Sequence, residues 1–287
     1  LLRRSIQNQR EEIVGLLRSF LPSAPDLLNG KSSDEQEALH TFLEVAITRW
    51  SALNAGLPDD SPAKITLGHF SFAARVLGTS KNATATEIIE ANQSARRYTG
   101  WPAFVSLHQE KTKPRLLEGC IEAWLANINY PDVGHADFCR IDSKGNFFLL
   151  RGYQEDSLDP NKGFGNPGTL FEATLPVWRL GEFLLRVADI SDVMFEPGYE
   201  ILVECTWTGL AGRSLFVHNR RRLISGGYTA VAESVTTTGR FSHQAVRELL
   251  PESVKVMVDS LYEHFDFFSP PDSFYSEELS EMTKNRY

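Results

Sequence analysis

The stretch Gly119–Ser157, GCIEAWLANINYPDVGHADFCRIDSKGNFFLLRGYQEDS, most restricts what this chain can fold into. Its apolar segments Cys120–Leu125, Ala136–Ile141 and Phe147–Tyr153 are short and rich in aromatic and β-branched residues. They are bounded by turn residues, which is the pattern of strands. Asp142-Ser-Lys-Gly145-Asn146 joins the last two, and Gly and Asn there accept the positive φ of a tight hairpin. An antiparallel ribbon is therefore expected at the centre. The same stretch also carries Glu122, His135, Asp137, Arg140, Arg151, Glu155 and Asp156, so strand-forming and ionisable residues are interleaved.

Before this ribbon the periodicity is helical. Ile6, Ile13, Val14, Leu17, Phe20 and Leu21 predict a helix ended by Pro22 and Pro25. Ser33-Asp-Glu-Gln36 reads as a capping box opening a second helix that carries Leu39, Phe42, Leu43, Ala46, Ile47, Trp50 and Leu53. A third helix is expected over Leu67–Leu77, and a fourth from Thr84-Ala-Thr-Glu87 to Tyr98. Residues 1–98 are thus expected to be a helical region, and 99–287 an α+β sheet domain with C-terminal helices. Within the latter, strands are expected at Ala103–Leu107, Thr169–Thr174, Glu200–Thr208, Arg213–Val217 and Tyr228–Thr237. The pair 200–208 and 213–217 reads as a second hairpin. Pro176 and Pro251 each suit the first turn of a helix, and a short tail helix is expected over Glu277–Met282. The fold class that follows is α+β: a helical N-terminal region, then a mostly antiparallel sheet flanked by two or three helices.

Composition narrows the function classes. With 287 residues, 42% apolar and 23% charged, the chain can bury a full core. A net charge of −8 argues against a broad phosphate-neutralising surface. The three cysteines, Cys120, Cys139 and Cys205, have no metal-ligand or redox spacing, and we expect them to be buried thiols in a cytoplasmic setting. No apolar run reaches the roughly 18 residues of a membrane helix, so no membrane partner is expected. The N-terminus is charged and amphipathic rather than signal-like. It begins without Met, and a preceding domain is expected.

His135, Asp137 and Cys139 alternate onto one strand face, with Glu122 on a neighbouring strand and Glu155 just beyond the next. An imidazole and carboxylates converging on a divalent ion could activate water, which makes Glu122, His135, Asp137 and Glu155 a candidate hydrolase or nuclease site. The ordinary alternative is that Arg140 or Arg151 pairs with these acids. Arg140, Arg151, Glu155 and Asp156 are then candidate ligand-binding residues through charge-assisted hydrogen bonds. Arg213, with Arg220, Arg221 and Arg222, is a candidate anion or nucleic-acid patch, or else a solvated sheet edge. Gly209-Leu-Ala-Gly212 is expected to be a tight turn rather than a phosphate clamp. The Trp residues are expected in the core. No Walker, GxGxxG, GxSxG or HExxH motif is present, and no cofactor is expected.

Several segments carry a family resemblance: Thr99-Gly-Trp-Pro102, Gly119-Cys-Ile-Glu-Ala-Trp124, His135-Ala-Asp-Phe138, Phe148-Leu-Leu-Arg-Gly-Tyr-Gln-Glu-Asp156, Leu175-Pro-Val-Trp-Arg-Leu-Gly-Glu182, Trp207-Thr-Gly-Leu-Ala-Gly-Arg213 and Leu261-Tyr-Glu-His-Phe-Asp-Phe-Phe268. In this order they resemble the C-terminal region of bacterial regulators that begin with a Schlafen-like, AlbA-type domain. The acidic balance, the missing catalytic signatures and the expected preceding domain point to a noncatalytic sensor or interaction module of such a bacterial regulatory or defence protein, with a metal-dependent hydrolase or nuclease as the alternative. Its partner would be that N-terminal effector or DNA-binding domain, or another protein. The resemblance transfers no chemistry to these residues, because the Schlafen-like domain itself lies outside the sequence.

Overall fold

The computed structural model describes residues 30–126, 132–162, 165–218, 224 and 227–284. The expected helix over residues 6–21 lies outside them. Nine strands and six α-helices are described, and the architecture is α+β. Seven strands form one antiparallel sheet in the order β2-β3-β4-β5-β1-β7-β9. These are β1 (His69–Leu77), β2 (Arg115–Leu117), β3 (Cys120–Trp124), β4 (Phe138–Asp142), β5 (Asn146–Gly152), β7 (Glu200–Thr208) and β9 (Ser234–Ser242). The remaining two, β6 (Leu170–Glu172) and β8 (Ser214–Phe216), pair in parallel as a separate small sheet.

Each face of the large sheet is covered. Helix α1 (Gly30–Ala55) lays Leu39, Ala46 and Trp50 against Ala73, Phe138, Phe148, Leu150 and Leu202. On the opposite face lies α3 (Leu175–Met194), with Leu180, Phe183, Leu184, Val187 and Ala188 fully buried. Phe183 meets Phe72 of β1 edge-on. An outer layer packs on α3: α2 (Ala85–Ser94), the short α4 (His243–Glu248), α5 (Leu250–Glu263) and α6 (Asp272–Lys284). α3 is apolar almost all round because it is sandwiched between layers. Where α6 crosses it, a Cβ on Gly181 would lie 2.4 Å from Leu279 Cδ2, so the close approach depends on glycine.

Several expectations need correction. Residues 67–77 are not a helix: they supply β1, which sits between β5 and β7 in the middle of the sheet. A strand buried on both faces loses polar alternation, and Ala73-Ala-Arg75 reads locally as helix-forming. Residues 103–107 are irregular, with Phe104 at φ 55°. β7 does not pair with the following segment; it pairs with β1 and β9, and β8 turns away to join β6. The last strand runs Ser234–Ser242 rather than 228–237. α1 is described from Gly30, so Ser33 falls within it rather than ahead of it. By contrast Thr84 does cap α2, with a complete capping box to Glu87, and Pro176 and Pro251 occupy first turns.

Candidate functional site

The β-ladder decides which ionisable groups of the central ribbon meet. Glu122 stands directly opposite Arg140, and Arg140 opposite Phe148, on the face covered by α1. One residue earlier the side chains point the other way, so Asp137 and Cys139 face α3. Glu122 and Asp137 therefore lie on opposite faces of the sheet and cannot share an ion. Cys139 does follow Asp137 on that face, as the spacing predicts, but His135 precedes the strand. It sits in a turn, with Nδ1 2.9 Å from Asp132 Oδ1.

Each of these carboxylates but one is engaged by arginine. Arg151 holds Asp137 in a two-pronged pair, Nε and Nη2 each 2.6 Å from a carboxylate oxygen, and it donates further to the carbonyls of Trp101 and Pro102. Glu122 accepts from Arg49 of α1 at 3.2 Å, with Arg140 Nε 3.6 Å away. Asp156 is gripped through both oxygens by Arg213. Arg213 is fully buried under the Tyr153 ring and also donates to the carbonyls of Gly209, Leu170 and Leu67. Its donors are spent inside the fold, so it is no part of a surface patch; Arg220, Arg221 and Arg222 lie outside the described residues. Among the described residues, no group of three His, Cys, Asp or Glu side chains is placed to hold a metal ion. The three cysteines are buried and unbridged, and burial pushes the Cys139 thiol up to about 12.

Glu155 is the exception. Its side chain is 4% exposed; Oε1 accepts the Glu172 backbone N–H, whereas Oε2 is buried with no partner. Glu155 borders a cavity of about 300 Å³ together with Glu172, Trp178, Phe216, His218 and Glu278. Glu172 takes the N–H groups of Thr174 and Leu175 and the Thr174 hydroxyl on one oxygen, closing off the start of α3. Burial, with the neighbouring Glu155 charge, lifts its carboxyl up to about 7.

A second, larger cavity of about 500 Å³ opens beside the 136–153 hairpin and shares Gln154, Leu175 and Trp178 with the first. Its lining includes Trp101, His135, Arg151 and Arg179. Arg179, on the first turns of α3, makes no hydrogen bond or ion pair among the described residues. Its guanidinium lies 4.7 Å over the Phe70 ring. Burial pulls its pKa below the ordinary value, which the charges of Glu155 and Glu172 oppose and that of Arg151 reinforces. Trp101 meets His135 edge-on at 4.8 Å, and its indole N–H is buried without an acceptor. Arg179 is thus a cation on the wall of this cavity with no hydrogen bond or ion pair among the described residues.

Arg179, Glu172 and Trp178 were not singled out by the sequence as site residues; Trp178 reads as core. One signal was present: Arg179, Glu182 and Arg186 recur at helical spacing along an otherwise apolar helix. The latter two serve the fold, Glu182 capping the N–H groups of Tyr98 and Thr99 and Arg186 binding carbonyls at the end of α2. Only Arg179 is left facing space. Compared with protein-family models, with curated proteins and with solved structures, the chain finds no match in any of the three.

Proposed function

We propose that this chain is a noncatalytic ligand-binding module, a sensor or interaction domain of a bacterial regulatory or defence protein, that takes a small organic anion in the cavity beside the central hairpin. The observation that carries this reading is Arg179, which lacks the ion pair that Arg151 and Arg213 each possess. A desolvated, unpaired charge is costly to keep. An anion placed against Arg179 would satisfy it through charge-assisted hydrogen bonds. Trp101, Trp178 and Leu175 offer apolar and aromatic surface for the body of such a ligand. The resemblance to the tail of Schlafen-like regulators fits this role, with binding transmitted to an effector domain.

Calorimetric titration with benzoate, indole-3-carboxylate and phenyl phosphate, against neutral benzamide, tests it. Anions are expected to bind and benzamide to bind at least tenfold more weakly. Arg179→Met removes the charge while keeping an unbranched apolar chain, and is expected to abolish the preference. Binding that ignores ligand charge, or survives Arg179→Met unchanged, would overturn the reading. So would turnover of a nucleotide or nucleic acid by the wild-type chain.

A further inference from the structure

The smaller cavity presents the opposite chemistry. Its outstanding group is the Glu155 carboxylate, whose Oε2 is buried and without a hydrogen-bond donor while Oε1 is anchored to the Glu172 backbone. The nearby cation, Arg179, makes no hydrogen bond to it. The charges of Glu155 and Arg179 act on each other only through space, so Oε2 is a buried acceptor still lacking a hydrogen-bond donor. Around it the walls are mostly apolar: Leu158, Leu175, Phe216 and Trp178, whose indole N–H is already donated to Glu278 on the same wall. We propose that this cavity is a binding site for a primary ammonium group carried on an apolar or aromatic body. The ammonium would donate to Glu155 Oε2, and the ring would lie against Trp178 and Phe216, where an aromatic face also favours the positive charge. A volume of about 300 Å³ suits an amine of one ring or a short alkyl chain.

Glu172 adds a signature that a purely apolar pocket would lack. Its carboxyl titrates near neutrality because it is buried beside Glu155. The other titratable groups around it are His218 after β8, Arg179 on α3, Tyr262 on α5 and Glu278 on α6. A cation entering the cavity favours the ionised form of Glu172, so binding expels its proton into solution. Ammonium affinity is then expected to rise about tenfold between roughly pH 6 and 8, as Glu172 ionises.

This site adjoins the Arg179 seat and shares Trp178 and Leu175 with it, but it takes a ligand of opposite charge, so the two readings fail on different probes. The probe is benzylamine, titrated calorimetrically into the intact chain beside its neutral isostere, benzyl alcohol. Benzylamine is expected to bind at least tenfold more tightly and to gain affinity with pH, while benzyl alcohol shows no pH trend. Glu155→Gln is expected to erase the difference between the two, and Arg179→Met to leave benzylamine binding intact or tighter. Equal affinity for amine and alcohol, or no benzylamine binding at pH 8, overturns the proposal, and the wild-type comparison decides this even if Glu155→Gln fails to fold. Loss of benzylamine binding in Arg179→Met also overturns it, by assigning the amine to the other cavity.

Discussion

At Gly209 one methyl group separates a closed turn from a broken one. The residue has φ +64°, and a Cβ there would lie 2.2 Å from the Leu67 carbonyl oxygen and 2.7 Å from Gly68 Cα, both backbone atoms with nowhere to move. Gly212, at the other end of the same turn, has φ +81° but open space around its would-be Cβ. The two glycines therefore separate conformational strain from steric exclusion. Gly212→Ala is expected to cost about 1 kcal/mol from backbone strain alone. Gly209→Ala adds a clash that must shift the chain at Leu67, and about 3 kcal/mol or more is expected. Urea unfolding of the two variants measures the gap, and equal losses would show that the approach to Leu67 does not matter. The glycine pair was readable as a turn because its spacing is a local property. What Arg213 does beside it was not readable, since its partners Asp156, Leu170 and Leu67 arrive from three distant points of the chain. Arg179 was hidden for the same reason in reverse: being unpaired is visible only once every possible partner has been placed.

The ribbon β4–β5 shows how an element turns a mixed sequence into two separate environments. Alternation sends Arg140 to the α1 face and Asp137 to the α3 face, where Asp137 is fully buried against Arg151. Removing one member of such a pair strands the other charge, so Asp137→Asn is expected to destabilise by about 3–5 kcal/mol. The double variant Asp137→Leu/Arg151→Met should recover a large part of that loss, because it leaves no orphaned charge. A thermal or urea double-mutant cycle reads the coupling, and a stable Asp137→Asn protein would mean that the pair contributes nothing. The strands of this ribbon, its turn and the capping box of α2 were legible, since each rests on a handful of adjacent residues. β1 was not: as a central strand covered by α1 and α3 it shows almost no alternation, with residues 70–74 all buried. The partner of β8 was not legible either, because β6 comes from a distant point of the chain and pairs with it in parallel. No helix among the described residues is long and apolar enough to cross a membrane, in keeping with the apolar runs of the sequence.

Across the whole molecule, two buried titratable groups on opposite sides of the sheet set opposing pH responses. His69, at the start of β1, packs against Trp50 of α1 with ring centroids 4.8 Å apart, and burial pulls its imidazole down to about 4. Between that value and the ordinary 6.5 the unfolded chain binds a proton that the folded chain refuses, so stability rises with pH through this window. Glu172, on the α3 side, is raised from 4.5 to about 7, and there the folded chain keeps a proton that the unfolded chain has lost. Its contribution is full below 4.5 and is lost as pH climbs to 7. Each shift corresponds to about 3 kcal/mol, and from pH 4.5 to 6.5 the two slopes cancel. Glu172→Gln keeps an acceptor for the Thr174 and Leu175 N–H groups but removes the titration. Its stability is therefore expected to climb by about 3 kcal/mol over that range while the wild type stays nearly flat. His69→Phe should do the reverse and fall with pH. Urea unfolding at a series of pH values checks both, and parallel profiles for wild type and Glu172→Gln would mean that Glu172 titrates over the same pH range folded and unfolded. In that event Glu172 would not change its charge between roughly pH 6 and 8, and amine affinity would lose its pH dependence there while keeping its need for Glu155.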